Sequence, residues 1–189
     1  MPEFHDRGLK ALKTEMATVR WENFVERADE HYFVARVLFS QWLPRYGSLC
    51  AQQCVENYLK AYMRASGRPA ELGHRLTDLL QSISAWADEA SFLRTDYLTT
   101  ICNRYDPFYE VARYPVHKTG PKNAYGFISG DGTDESILDY FVYKMREELG
   151  RLVSIGHLDP PGRAFFLGQA REHRPALHQM FEADNLNLL

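Results

Sequence analysis

The residues best suited to chemistry sit in one irregular stretch. Residues 113–133 read R-Y-P-V-H-K-T-G-P-K-N-A-Y-G-F-I-S-G-D-G-T. Arg113, His117, Lys118 and Lys122 fall in its first half, with no acid before Asp131, and form the most concentrated positive charge in the chain. Arg113, Lys118 and Lys122 supply charge for a phosphate, and the glycines let backbone N–H groups approach an anion. Tyr114 or Tyr125 can stack on a base. The same residues also have a purely structural reading, in which Arg113 pairs with an acid such as Glu56 and Tyr114-Pro115 packs as a corner. Gly120, Gly126, Gly130 and Gly132, with Pro115 and Pro121, rule out a regular helix here. A loop of this length inside a compact domain is uncommon and often functional.

Helices must position that stretch. One is expected from about Arg20 to Trp42, where Trp21, Phe24, Val25, Ala28, Tyr32, Ala35, Leu38, Phe39 and Trp42 mark a buried stripe. Pro44 is expected to stop it. After a short link at 44–47, a second runs from Tyr46 to Gly67, with Ser48 as its N-cap and Gly67 as its stop. Ala51, Cys54, Val55, Tyr58, Tyr62 and Ala65 recur at helical spacing. Gln52, Gln53, Glu56, Asn57, Lys60 and Arg64 fall mostly on another face, polar and mixed in sign, free to bond a partner or to sit in water. A link this short makes the two helices antiparallel neighbours. Further helices are expected at about 75–89, 91–104 and from Thr133 onward, with one more turn at 108–112. The fourth uses Leu93, Tyr97, Leu98 and Ile101. The last buries Ile137, Leu138, Phe141, Met145, Leu149 and Leu152, and Asp134 and Glu135 suit its first turn. No strand pattern survives beside them. The expected division is an arm at 1–19, a helical bundle at 20–158 and a tail at 159–189, set off by Asp159-Pro160-Pro161-Gly162.

Three segments of this chain carry a resemblance. Ala51-Gln52-Gln53-x-x-Glu56-x-x-Leu59-Lys60-Ala61 resembles the core helix of the HEPN family, small helical bundles associated with nucleotides. His74-Arg75-Leu76-x-x-Leu79-Leu80 is similar to the start of that family's third helix. Arg113-Tyr114-Pro115 is similar to the Arg-Tyr-Pro after its fourth. The three occur in the family's order, and the likeness covers roughly residues 20–155. It implies an all-α antiparallel bundle of four or five helices that self-associates as a homodimer. It also implies a partner, since such bundles are often encoded beside a minimal nucleotidyltransferase as a toxin–antitoxin pair.

Many members of the family are metal-independent ribonucleases that use an arginine followed, after four to six residues, by a histidine. A histidine titrating near neutrality can take the 2′-hydroxyl proton, and an arginine can stabilise charge developing on phosphate. Here Arg113 and His117 have only three residues between them. Arg68/His74, Arg151/His157 and Arg171/His178 have the family's spacing, three matches where about two are expected by chance. Arg151/His157 is the best placed, near the end of the last bundle helix, so Arg151, His157 and His117 are the catalytic candidates. Arg113, Tyr114, His117, Lys118, Lys122, Gln53 and Lys60 are the ligand-binding candidates. His74 is read first as a cap or packing residue of the third helix. Binding of a nucleotide or RNA leads, ribonuclease chemistry follows, and a protein-interaction bundle is the third reading.

Composition narrows the classes. A net charge of −3 excludes a globally basic nucleic-acid binder, though charge can still be local. Three cysteines and no secretory signal point to a reducing cytoplasm. Cys50 and Cys54, four apart on one helix, could share a metal, but no further ligand pair accompanies them, so they are read as core residues and no metal is expected. No apolar run is long enough to span a membrane. No phosphate-binding Gly-x-x-x-x-Gly-Lys-Ser/Thr, no Gly-x-Gly-x-x-Gly and no Gly-x-Ser-x-Gly is present, and no cofactor is expected.

Overall fold

The first two helices are set by how the chain turns between them. In the computed structural model, which describes residues 18–70, 72–111, 133–153, 172, 175, 176, 179 and 185, α1 spans Trp21–Ser40 and α2 spans Pro44–Ala65. Helix α1 ends in a Schellman turn: Leu43 N–H bonds the Leu38 carbonyl at 2.9 Å and Trp42 N–H bonds that of Phe39 at 3.0 Å. The left-handed position of this turn, normally a glycine's, holds Trp42 at φ 57°. Trp42 therefore leaves the apolar stripe assigned to it and stands 75% exposed. Pro44 is the first residue of α2, where a missing N–H costs nothing, and does not act as the terminator of α1. Ser48, expected as the cap of α2, is consequently buried inside the helix. The link is short enough to press the helices together, since a Cβ on Gly47 would come 2.6 Å from the Phe39 ring. Helix α2 ends in the same kind of turn, with Gly67 at φ 74° and Arg68 N–H bonding the Met63 carbonyl at 2.9 Å.

The remaining helices wrap α2. They are α3 (Leu76–Ser84), a 3₁₀ turn (Phe92–Arg94), α4 (Asp96–Tyr105), α5 (Phe108–Val111) and α6 (Thr133–Leu152). Among the described helices, α2 packs against α3, α4, α5 and α6, and α1 lies along its length. No strand occurs among the described residues. The chain forms an all-α helical bundle around a continuous core that includes Tyr58, Leu59, Leu76, Leu79, Ile83, Leu98, Phe108, Leu138 and Phe141. None of the described helices is long and apolar enough to cross a membrane.

Two expected helices are shorter than their periodicity suggests. Helix α3 stops at Ser84 instead of near residue 89, and Trp86 beyond it stacks on Tyr62, with the Arg68 guanidinium 4.3 Å from its ring centre. The expected 91–104 helix is broken at Thr95, whose hydroxyl accepts from Leu98 N–H and starts α4 afresh. That break turns Tyr97 outward, and Leu152, at the end of α6, is also exposed. Both were expected in apolar stripes. The N-terminus of α3 is capped from outside: Asp106, just past α4, accepts from Leu76 N–H at 2.6 Å and from the Thr77 hydroxyl at 2.9 Å. His74 therefore does not cap this helix.

Buried charges join the outer helices to α1 and α2. The Tyr58 hydroxyl donates to Asp29 Oδ1 at 2.5 Å, and Arg146 of α6 donates to Asp29 Oδ2 at 2.7 Å and to the Tyr58 oxygen at 3.2 Å. The Tyr32 oxygen lies 2.7 Å from both Asp139 of α6 and Asn185 of the tail, and Arg36 Nε lies 3.1 Å from Asp139. Arg104 and Tyr105 bond the Asp134 carboxylate, tying α4 to the start of α6.

Two outcomes follow from these networks. Removing Asp29 leaves a buried guanidinium without its counter-charge, so Asp29→Ala should lower stability by about 3 kcal/mol or more. Tyr58→Phe should lose only about 1 kcal/mol, both read from urea unfolding midpoints. Burial pushes the Asp139 carboxyl up to about 6, against the opposing pull of the Tyr32 hydroxyl and Arg36. The same carboxyl titrates near 3.9 in an unfolded chain. The folded state therefore holds more proton between about pH 4 and 6, and stability from this group falls as pH rises through that window. Asp139→Asn should remove that fall, so the variant's urea midpoint should gain on the parent's from pH 4 to pH 6.

Candidate functional site

Because α2 is surrounded, its polar residues cannot all face water. Gln52 is fully buried, and Glu56 and Lys60 are each only 4% exposed. The polar face, which by sequence could bond a partner or sit in water, is folded inward at Gln52, Glu56 and Lys60, and these groups satisfy one another. Glu56 Oε1 accepts from Lys60 Nζ at 2.8 Å and meets His74 Nδ1 at 3.0 Å. Glu56 Oε2 accepts from Gln52 Nε2 at 3.1 Å and from Gln53 Nε2 at 3.2 Å. Four partners fill the acceptor capacity of one carboxylate. Gln52 also donates to the His74 carbonyl at 3.0 Å, fixing that residue's backbone as well as its ring.

The imidazole is the most exposed member of the cluster. The His74 side chain is 48% exposed, while those of Glu56 and Lys60 are each 5%. One face of the imidazole stacks on Tyr109 of α5, with centres 4.6 Å apart and planes within 12°. An ionised carboxylate can only accept, so Nδ1 carries the hydrogen towards Glu56. In the neutral imidazole Nε2 is then the bare nitrogen, on the edge away from that contact. The arrangement is a carboxylate-oriented imidazole with its second nitrogen and its second face open.

Nearby groups set the surroundings. His31 of α1 is pushed down, first by burial and next by Arg27, with Glu30 and Glu56 pulling the other way. A cleft of about 530 Å³ lies between the start of α1 and Asn57. Glu26 and Glu30 line it against a single cation, Arg27, which bonds Glu30 at 2.9 Å, so this cleft repels a polyanion. The cysteines behave as core: Cys54 and Cys102 are buried, and burial pushes both thiols up. No cluster of metal-ligating residues occurs among the described residues.

A family model for the HEPN domain matches residues 21–138, well over half of the sequence. The chain belongs to the HEPN domain family. No curated protein and no solved structure gives a match. The HEPN match covers α1 to α5 and the first turn of α6, and so contains the whole Glu56 cluster.

Of the sequence-derived candidates, Gln53 and Lys60 are brought together around Glu56. Lys60 directs its ammonium at that carboxylate, and Gln53 is half-buried beside it. Arg151 stands at the end of α6, 62% exposed, with one guanidinium nitrogen 2.9 Å from Glu148. Arg113, Tyr114, His117, Lys118, Lys122 and His157 lie outside the described residues. Sequence reasoning offered Glu56 only as a structural partner for Arg113 and placed Tyr109 only in an extra turn. An i, i+4 Glu–Lys pair on a polar face reads as a solvated pair, so the sequence carries no signal for its burial.

Truncating the carboxylate should be costly because it strands a buried ammonium. Glu56→Ala is expected to lower the unfolding free energy by about 3–5 kcal/mol. The double change Glu56→Leu with Lys60→Met should cost clearly less than that single one, as measured by denaturant titration.

Proposed function

We propose that this HEPN bundle binds a nucleotide or single-stranded RNA at the Glu56–His74 cluster together with the basic segment that follows α5. What carries the reading is the half-exposed imidazole at the mouth of an otherwise fully paired polar cluster. Its stacking partner Tyr109 lies four residues before Arg113 in the sequence. Arg113, Lys118 and Lys122 supply charge for phosphate, and Tyr114 and the open ring of His74 supply flat surfaces for a base. Gln53 and Lys60 hold the carboxylate that fixes the ring. The bundle acts as a homodimer, and its partner is a minimal nucleotidyltransferase in a toxin–antitoxin pair.

A second reading, metal-independent ribonuclease chemistry, draws on Arg151. Its guanidinium is exposed at the end of α6, six positions before His157.

A labelled single-stranded RNA, followed by fluorescence anisotropy with the purified protein, should saturate, and affinity should fall as salt rises. Changing Arg113 and Lys118 to Ala together should weaken binding about tenfold while leaving the helical circular-dichroism signal intact. Loss of full-length RNA on a gel that persists in chelator and disappears in His157→Ala would move the conclusion to the ribonuclease. No saturation by RNA or nucleotide, with a nucleotidyltransferase still co-purifying, would leave only the protein partnership.

A further inference from the structure

We infer that His74 is the residue that distinguishes ribose from deoxyribose in the bound ligand, an assignment that rests on the nucleotide-binding reading above. Each edge and face of this imidazole is accounted for. One face lies on Tyr109 at 4.6 Å. The Nδ1 edge is directed at Glu56, 3.0 Å away. The side chain is 48% exposed, and the opposite face and the Nε2 edge carry neither of these two contacts.

These two open surfaces have different chemistry. The face offers a π-surface on which a base extends the His74–Tyr109 stack, a contact every base can make. In the neutral ring with its hydrogen on Nδ1, Nε2 offers a lone pair. A lone pair needs a donor. Phosphate oxygens are acceptors, so the neutral ring does not select them. In a nucleotide unit, the donor attached next to the base is the ribose 2′-hydroxyl, the group by which a protein separates RNA from DNA.

Glu56 serves here as a positioning residue. Its acceptor capacity is filled by Lys60, Gln52, Gln53 and His74, so it makes no contact of its own with ligand. Its part is to hold the hydrogen on Nδ1. The Gln52 bond to the His74 carbonyl keeps the ring from swinging away.

The test uses the full-length protein and four probes: a short single-stranded RNA, the DNA of the same sequence, 5′-AMP and 5′-dAMP. The intact protein should bind the ribo form about fivefold more tightly than the deoxy form, the worth of one ordinary hydrogen bond. Preference with AMP over dAMP would show that a single nucleotide suffices, and preference with the oligomers alone would show that the ligand is a strand. His74→Phe keeps a flat ring on Tyr109 and removes Nε2, so it should bind ribo and deoxy probes equally. The His74 ring protons, assigned by their absence from the variant's spectrum, should shift on adding AMP or RNA to the parent protein. Equal binding of ribo and deoxy probes by the parent would overturn the inference while leaving the nucleotide-binding reading standing. So would a sugar preference that survives His74→Phe, or ring signals that stay still while RNA saturates. Binding of none of the four probes would remove both.

Discussion

A carboxylate buried inside a helical bundle must be surrounded by donors, and that requirement organises this molecule around Glu56. Its residue is 4% exposed on a helix that every other described α-helix packs against. Leaving such a charge unpaired costs several kcal/mol, more than most single contacts contribute. Lys60 answers it from one turn further along α2, the two glutamines from the turn before, and His74 from outside the helix. Three of the four donors are local. The fourth draws the segment before α3 onto α2 and sets an imidazole at the surface in one orientation. Stability and site geometry thus depend on the same carboxylate.

The same rule recurs away from the cluster. Asp29, Asp139, Asp134 and Glu148 are all buried carboxylates on α1 or α6, each answered by an arginine or a backbone or hydroxyl donor from another element. Glu148, for example, accepts from Phe92 N–H at 3.0 Å and from the Ser91 hydroxyl at 2.9 Å, and so fixes the 3₁₀ turn against α6. These pairs tie helix to helix, and at Glu148 the exposed Arg151 joins as well. The Glu56 cluster differs in that its solvent-facing donor is an imidazole stacked on an aromatic ring.

Much of the fold was legible because periodicity reports one buried stripe well. Phe24, Val25, Ala28, Tyr32 and Ala35 on α1, and Leu138, Phe141, Met145 and Leu149 on α6, fall where the helical repeat puts them. Periodicity does not report how many neighbours a helix has. The polar face of α2 therefore read as open to a partner or to water, when Gln52, Glu56 and Lys60 are enclosed. Nor does periodicity report where a helix is ended or restarted: by Trp42 in a left-handed position usually a glycine's, by Thr95 capping a new helix inside an apolar repeat, and by Asp106 capping α3 from thirty positions away. Of the site, Gln53 and Lys60 were found as polar residues within a family-like motif. His74 reads from sequence as a cap or packing residue, because a sequence shows neither the carboxylate behind a histidine nor the ring beside it.

The claim that carries the account is that Glu56 holds the hydrogen of His74 on Nδ1 and leaves Nε2 bare. A long-range nitrogen–proton correlation spectrum of the histidine rings in the folded, ligand-free protein reads this directly, since the two nitrogens resonate differently when protonated and when bare. The account predicts a single His74 tautomer with Nδ1 protonated, giving way to a mixture in Glu56→Gln. A ring protonated at Nε2, or one already averaging between tautomers in the parent protein, would contradict it.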